Sequence, residues 1–149
     1  MAMLRWRALL AGLWAGVLLC VAGIATPAPF ALLAVADAGR VAGRILAQEA
    51  YLSLALGLVL VLLERRIARD GPRQFSTGLV LALGTLFCTV AGYFALQPMM
   101  AAARAGQGTL SFGQLHAISA VFYGIKVLLV LALAWRTAVA TATGSAPSS

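Results

Sequence analysis

Phe112-Gly-Gln-Leu-His116-Ala-Ile-Ser119-Ala-Val-Phe-Tyr123-Gly-Ile-Lys126-Val-Leu-Leu-Val-Leu-Ala-Leu-Ala-Trp-Arg136 decides the fold. The run has the length of a helix that crosses ~30 Å of hydrocarbon. His116, Ser119, Tyr123 and Lys126 follow at spacings of three, four and three, which puts them on one helix face. Lys126 lies ten residues from both His116 and Arg136, about 15 Å from each along the axis. That depth is near the bilayer midplane, where an unpaired charge costs about 2.5–3.5 kcal/mol on insertion scales and more in simulations. The polar stripe is therefore expected to face other helices. Asp37, Glu64 and Asp70 fall at boundaries or loops on this reading. Glu49 is left as the acid well inside a span and the expected partner of Lys126.

Composition supports a membrane protein. Of 149 residues, 62% are apolar and 10% charged, against about 25% charged in a soluble domain. The net charge of +7 comes mainly from arginines beside apolar runs. These read as topology signals, not as a nucleic-acid surface. Cys20 and Cys88 lie inside apolar runs and behave there as small hydrophobes.

The chain reads as one four-span membrane domain, residues 1–137, with spans at about 8–26, 45–63, 75–96 and 113–136. The first span carries Gly12 and Gly16, a small-xxx-small pair that permits close helix approach. A basic start and Ala34-Val-Ala36 also resemble a cleavable signal, but the apolar run is long and Pro27 and Pro29 interrupt it. These prolines are expected to end or kink the first helix. Asp37 is the expected N-cap of the second. A charged turn from Glu64 to Arg73 with a Gly71-Pro72 breaker leads to the third span. In that span Gly78, Thr85, Thr89 and Gly92 share roughly one face, and Gln97-Pro98 is expected to end it. Residues 138–149, rich in Ala, Thr and Ser, read as a disordered tail.

With the N-terminus inside, inner segments hold seven arginines (Arg5, Arg7, Arg65, Arg66, Arg69, Arg73, Arg136) and outer ones three (Arg40, Arg44, Arg104). The excess implies N-in, C-in topology. Short loops favour antiparallel neighbours. The expected fold is thus all-α, an integral membrane four-helix bundle.

Three places carry a resemblance: Pro29-Phe30 followed by Asp37-Ala-Gly39 and Gly43; Tyr93-Phe-Ala-Leu-Gln-Pro98-Met-Met with Arg104 after it; and Phe112-Gly-Gln-Leu-His116-Ala-Ile-Ser119. In their order and spacing the chain resembles the small four-helix membrane proteins related to eukaryotic transmembrane protein 205, carried by bacteria as a domain of unknown function. The resemblance implies four spans and a membrane location, and the expected location is a bacterial inner membrane, multi-pass. It implies no reaction, substrate or cofactor. The family often has an asparagine a turn after the serine of the last motif; here the region reads Phe122-Tyr123-Gly124.

The candidate site is a polar intramembrane cluster of Glu49, His116, Ser119, Tyr123 and Lys126, with Phe30, Gly39, Gly43, Pro98, Phe112, His116 and Ser119 as family-motif positions. The scattered Cys20, Cys88, Met99, Met100 and His116 lack metal-ligand spacing, so neither metal nor cofactor is expected. No carboxylate pair, activated nucleophile or phosphate loop is present, so the protein is read as no enzyme. The expected role is an accessory or packing subunit, or a homo-oligomer, in contact with the lipid bilayer or other membrane proteins. The alternative is a minimal transporter or binding protein for a small cation, metal or amphiphilic drug. A cavity lined by the cluster would favour the alternative; a filled core would favour packing.

The topology is directly testable. A cysteine at Gly71 should resist membrane-impermeant reagent in intact cells, while one at Gly108 should be labelled. The opposite pattern would overturn N-in, C-in.

Overall fold

The computed structural model describes residues 2–69 and 76–143. Among these the chain is all-helical. Helices α1 (Ala2–Cys20) and α2 (Ala28–Leu32) form one span, joined by a π turn at Val21–Ala25. Helix α3 (Val35–Arg69) is the second span. Helices α4 (Thr77–Thr89) and α5 (Leu96–Arg104), joined by a π turn at Val90–Ala95, form the third, and α6 (Phe112–Thr143) is the fourth. All four are long and apolar enough to cross a membrane. Helix α1 packs on α3 and α6, and α4 packs on the same two, so α3 and α6 face each other across a diagonal of the bundle. Large apolar side chains such as Leu13, Leu62, Val80 and Leu128 point outward, as lipid contact allows.

The prolines do not stop the helices. Pro98 lies in the first turn of α5, where a missing N–H removes little because first-turn donors have no partner within the helix. Pro27 and Pro29 begin α2 in the same way, as its N-cap and second residue. In both spans a π turn precedes the prolines and the helix restarts; this is the interruption expected of Pro27 and Pro29 as a kink, and it corrects the expected ending at Gln97-Pro98. Helix α3 starts earlier than expected. Asp37 lies within its first turn, not at the cap, and its carboxylate pairs with Arg40 there, at the positive end of the helix dipole. Helix α6 continues to Thr143, past the expected start of the tail at Ala138, consistent with the helix propensity of alanine. Asp70–Phe75, which includes the Gly71-Pro72 breaker, lies outside the described residues, as does 144–149.

The core is a plug of Trp14, Leu18, Leu60, Leu79, Val130 and Leu133, drawn from all four spans. A smaller cluster of Leu96, Met100 and Leu115 closes the end where α5 meets α6. Close approach depends on glycines other than Gly12 and Gly16. Those two are exposed, and a Cβ added to either meets nothing within 4 Å. A Cβ on Gly92 would collide with the Phe122 Cβ of α6 and would stand 3.7 Å from the Phe122 Cα. A Cβ on Gly57 would come within 2.6 Å of Leu86 Cδ2, the movable end of a side chain. Gly92→Ala should therefore cost the most stability in detergent, in the ~1–3 kcal/mol range of overpacking. Gly57→Ala should cost less and Gly12→Ala nothing measurable. Equal thermal unfolding of the three variants would contradict this packing.

Candidate functional site: a buried polar network across the bundle

Ion pairing at the centre follows from helix register. Helix α3 turns Glu49 inward and α6 turns Lys126 inward, so both reach the diagonal. Lys126 Nζ donates to Glu49 Oε1 at 2.8 Å and Oε2 at 2.9 Å. Glu49 is 5% and Lys126 3% exposed, so neither charge reaches lipid or water. The carboxylate also accepts from the Ser53 hydroxyl, one turn along α3. Trp14 Nε1 in turn donates to Ser53 Oγ at 2.9 Å. A chain of donors thus runs from α1 through α3 to α6, and the amine lies 4.7 Å from the centroid of the Tyr123 ring.

The rest of the stripe serves the π turns. Tyr123 Oη donates to the Leu18 carbonyl at 2.9 Å, just before the first π turn. At the second, Leu96 N–H bonds Tyr93 O instead of its α-helical acceptor, Gly92 O. Ser119 Oγ donates to that Gly92 carbonyl at 2.6 Å. A backbone acceptor in hydrocarbon needs such a partner. Ser119 supplies one at the second interrupted span, and Tyr123 adds a side-chain donor beside the first.

His116 does not join this network. It is exposed and stacks on Phe112, with ring centroids 5.8 Å apart; Arg104 lies over the same Phe112 ring at 4.3 Å. The four-residue step from Leu115, which is buried, to Ser119 leaves His116 on the rim of the face. Of the motif positions, Phe112 anchors that stack. Phe30 and Pro98 are exposed, and Gly39 and Gly43 are partly buried.

A second buried ion pair was not expected. Glu64 is buried, only 1% exposed, not free at a loop boundary. Arg7 Nη1 donates to its Oε1 at 3.1 Å and Ser76 Oγ to its Oε2 at 2.9 Å. Ser76 also caps α4, its Oγ accepting from Leu79 N at 3.1 Å. Gly78 makes the room: a Cβ there would stand 2.5 Å from the Glu64 carboxylate. One signal was available in the sequence. Glu64 lies 15 residues beyond Glu49, about four helical turns, which returns it to within ~60° of the same face.

Both carboxylates have their oxygens engaged by cations and hydroxyls. Among the described residues no three His, Cys, Asp or Glu side chains come together as a metal site. The network can hold four helices in one register, and Glu64 with Arg7 and Ser76 also lines a groove at that end. Removing one member of a buried pair strands the other, at about 3–5 kcal/mol. Lys126→Met and Glu49→Met should each destabilise by that order, and the double variant by clearly less than the sum. Additive losses in the cycle would exclude direct coupling.

The chain matches a family described as Domain of unknown function (DUF4149) over residues 9–109. No curated protein and no solved structure matches it. The matched stretch contains Trp14, Glu49, Ser53 and Glu64 and ends before α6, so the acids fall inside it and Lys126 outside. Covering about two thirds of the sequence, the match is decisive: this multi-pass membrane protein belongs to the family of the DUF4149 domain of unknown function.

Proposed function

We propose that the protein is a structural membrane subunit, a single four-span unit that self-associates through the outer face of α1 and catalyses no reaction. The observation that supports this reading is the pairing of the polar stripe within the bundle. Glu49, Ser119, Tyr123 and Lys126 each have a partner in the chain. The grooves on α1, at the Arg7 end and on α6 contain none of Glu49, His116, Tyr123 or Lys126 in their linings. The α1 groove, about 560 Å³, runs along Leu9, Gly12, Leu13, Gly16 and Cys20. Its glycines are unused inside the bundle, and a small-xxx-small face suits a second helix in lipid.

Within this proposal the bilayer is a bacterial inner membrane, both termini are cytoplasmic and no nucleic acid is bound. Arg7 and Arg136 line one groove, at an end that also carries exposed Trp6 and Trp135, which suits a cytoplasmic interface with an aromatic belt. Kinship with the transmembrane protein 205-like proteins is part of the same proposal and rests on the Phe30, Pro98 and Phe112–Ser119 motifs. The transporter alternative draws on the charged pair at mid-depth and requires a measured solute flux.

Native mass spectrometry of the detergent-extracted protein tests the proposal. Wild type should appear as an oligomer. Gly12→Leu with Gly16→Leu should release monomers that stay folded, with no more loss of thermal stability than the lost association accounts for. A monomeric wild type with no copurifying membrane protein would overturn it, and cation flux lost in Glu49 and Lys126 variants would favour the alternative.

A further inference from the structure

We infer that the chain is built from two related helical hairpins, and that Glu49 and Lys126 occupy the same position in each. Their opposite charges then make the inner face of the first hairpin fit a second hairpin and reject another first. The first hairpin is α1–α2 with α3; the second is α4–α5 with α6.

Three observations carry the inference. The layouts agree: each hairpin enters on a helix, passes a π turn that opens with Val-Ala-Gly (Val21 and Val90), restarts at a proline and returns on one long helix. The burial registers agree as well. On the return helices, Ala38 and Leu115, Glu49 and Lys126, Ser53 and Val130, and Leu60 and Thr137 are buried pairs, each separated by 77 residues. On the entering helices, buried Ala11 and Ala82, Trp14 and Thr85, and Leu18 and Thr89 are separated by 71, as are Pro27 and Pro98. The π turns lie within two residues of that register, and the second hairpin spends the additional residues in its longer connector. The packing agrees too. Exchanging α1 with α4 and α3 with α6 maps the neighbour relations onto themselves, as a pseudo-two-fold axis along the membrane normal would. The diagonal bridged by Glu49 and Lys126 crosses that axis.

A pair on such an axis has a specific consequence. Two first hairpins would set Glu49 against Glu49, and two second hairpins Lys126 against Lys126. Each would bury like charges with no compensating partner. Only the mixed pairing is neutral, so one position supplies both attraction to the correct partner and repulsion of the wrong one.

The test uses the full chain and compares reversal with neutralisation. Glu49→Lys and Lys126→Glu each create a like pair; Glu49→Gln and Lys126→Gln only remove one charge. The readout is the monodisperse fraction left after heating in detergent. Each reversal should lose several-fold more of it than the matching neutral variant. Glu49→Lys combined with Lys126→Glu should recover it to within about twofold of wild type, although Ser53 and Trp14 are arranged for a carboxylate on α3. A combined variant no better than the single reversals would overturn the equivalence of the positions. Reversals no worse than the neutral variants would overturn the rejection of like hairpins.

Discussion

A lysine at mid-depth in hydrocarbon must be given its counter-charge by the protein, because neither water nor a headgroup is at hand. Lys126 meets this constraint with Glu49, and the pairing determines much else. It requires α3 and α6 to face each other across the diagonal, which leaves α1 and α4 to fill the flanks. It requires Glu49 to point inward, where Ser53 and then Trp14 complete the carboxylate's hydrogen bonding. Arg7 and Glu64 repeat the arrangement at the opposite end of the apolar plug. Both acids stand on α3, so this helix receives a cation from α6 at one level and from α1 at the other. Packing in lipid gains no hydrophobic driving force between helices. Paired charges and close glycine contacts are what define a single register under those conditions.

The π turns and the polar stripe are two parts of one solution. Prolines late in the first and third spans require the helices to restart, and each restart disturbs the backbone ladder. Ser119 and Tyr123 face those two places from α6. The stripe that suggested a transport pathway thus also serves as backbone support. Gly92 contributes by admitting Phe122 at van der Waals distance, which brings Ser119 within reach of the carbonyl.

Much of this was legible in the sequence, for identifiable reasons. Runs of apolar residues report spans because length and composition suffice. The Glu49–Lys126 pair was legible because so few acids lie near mid-depth. Faces were harder to read. In a soluble helix the polar side marks solvent, but in lipid both sides are apolar and the pattern weakens. Gly12 and Gly16 could therefore pack inside or out, and they lie outside. The burial of Glu64 was missed because its depth suggested a boundary; only the position of Gly78 on a distant helix opens the space it occupies. His116 shares the spacing of the stripe, yet Leu115 takes the buried position beside it and leaves His116 on the exposed rim. The π turns were hidden behind prolines, which ordinarily mark an ending, and a Val-Ala-Gly triplet that also occurs inside α3 at Val41.

The central claim is that the Lys126 amine is held by Glu49 inside the bundle. Solid-state NMR of the protein in lipid bilayers, with 13C in glutamate and 15N in lysine, measures that contact directly; Lys126 is the sole lysine. The account predicts a strong dipolar coupling between the Lys126 Nζ and the Glu49 carboxyl carbon, with no coupling from Nζ to lipid phosphorus. Loss of the first coupling together with appearance of the second would place the amine among the headgroups and contradict the account.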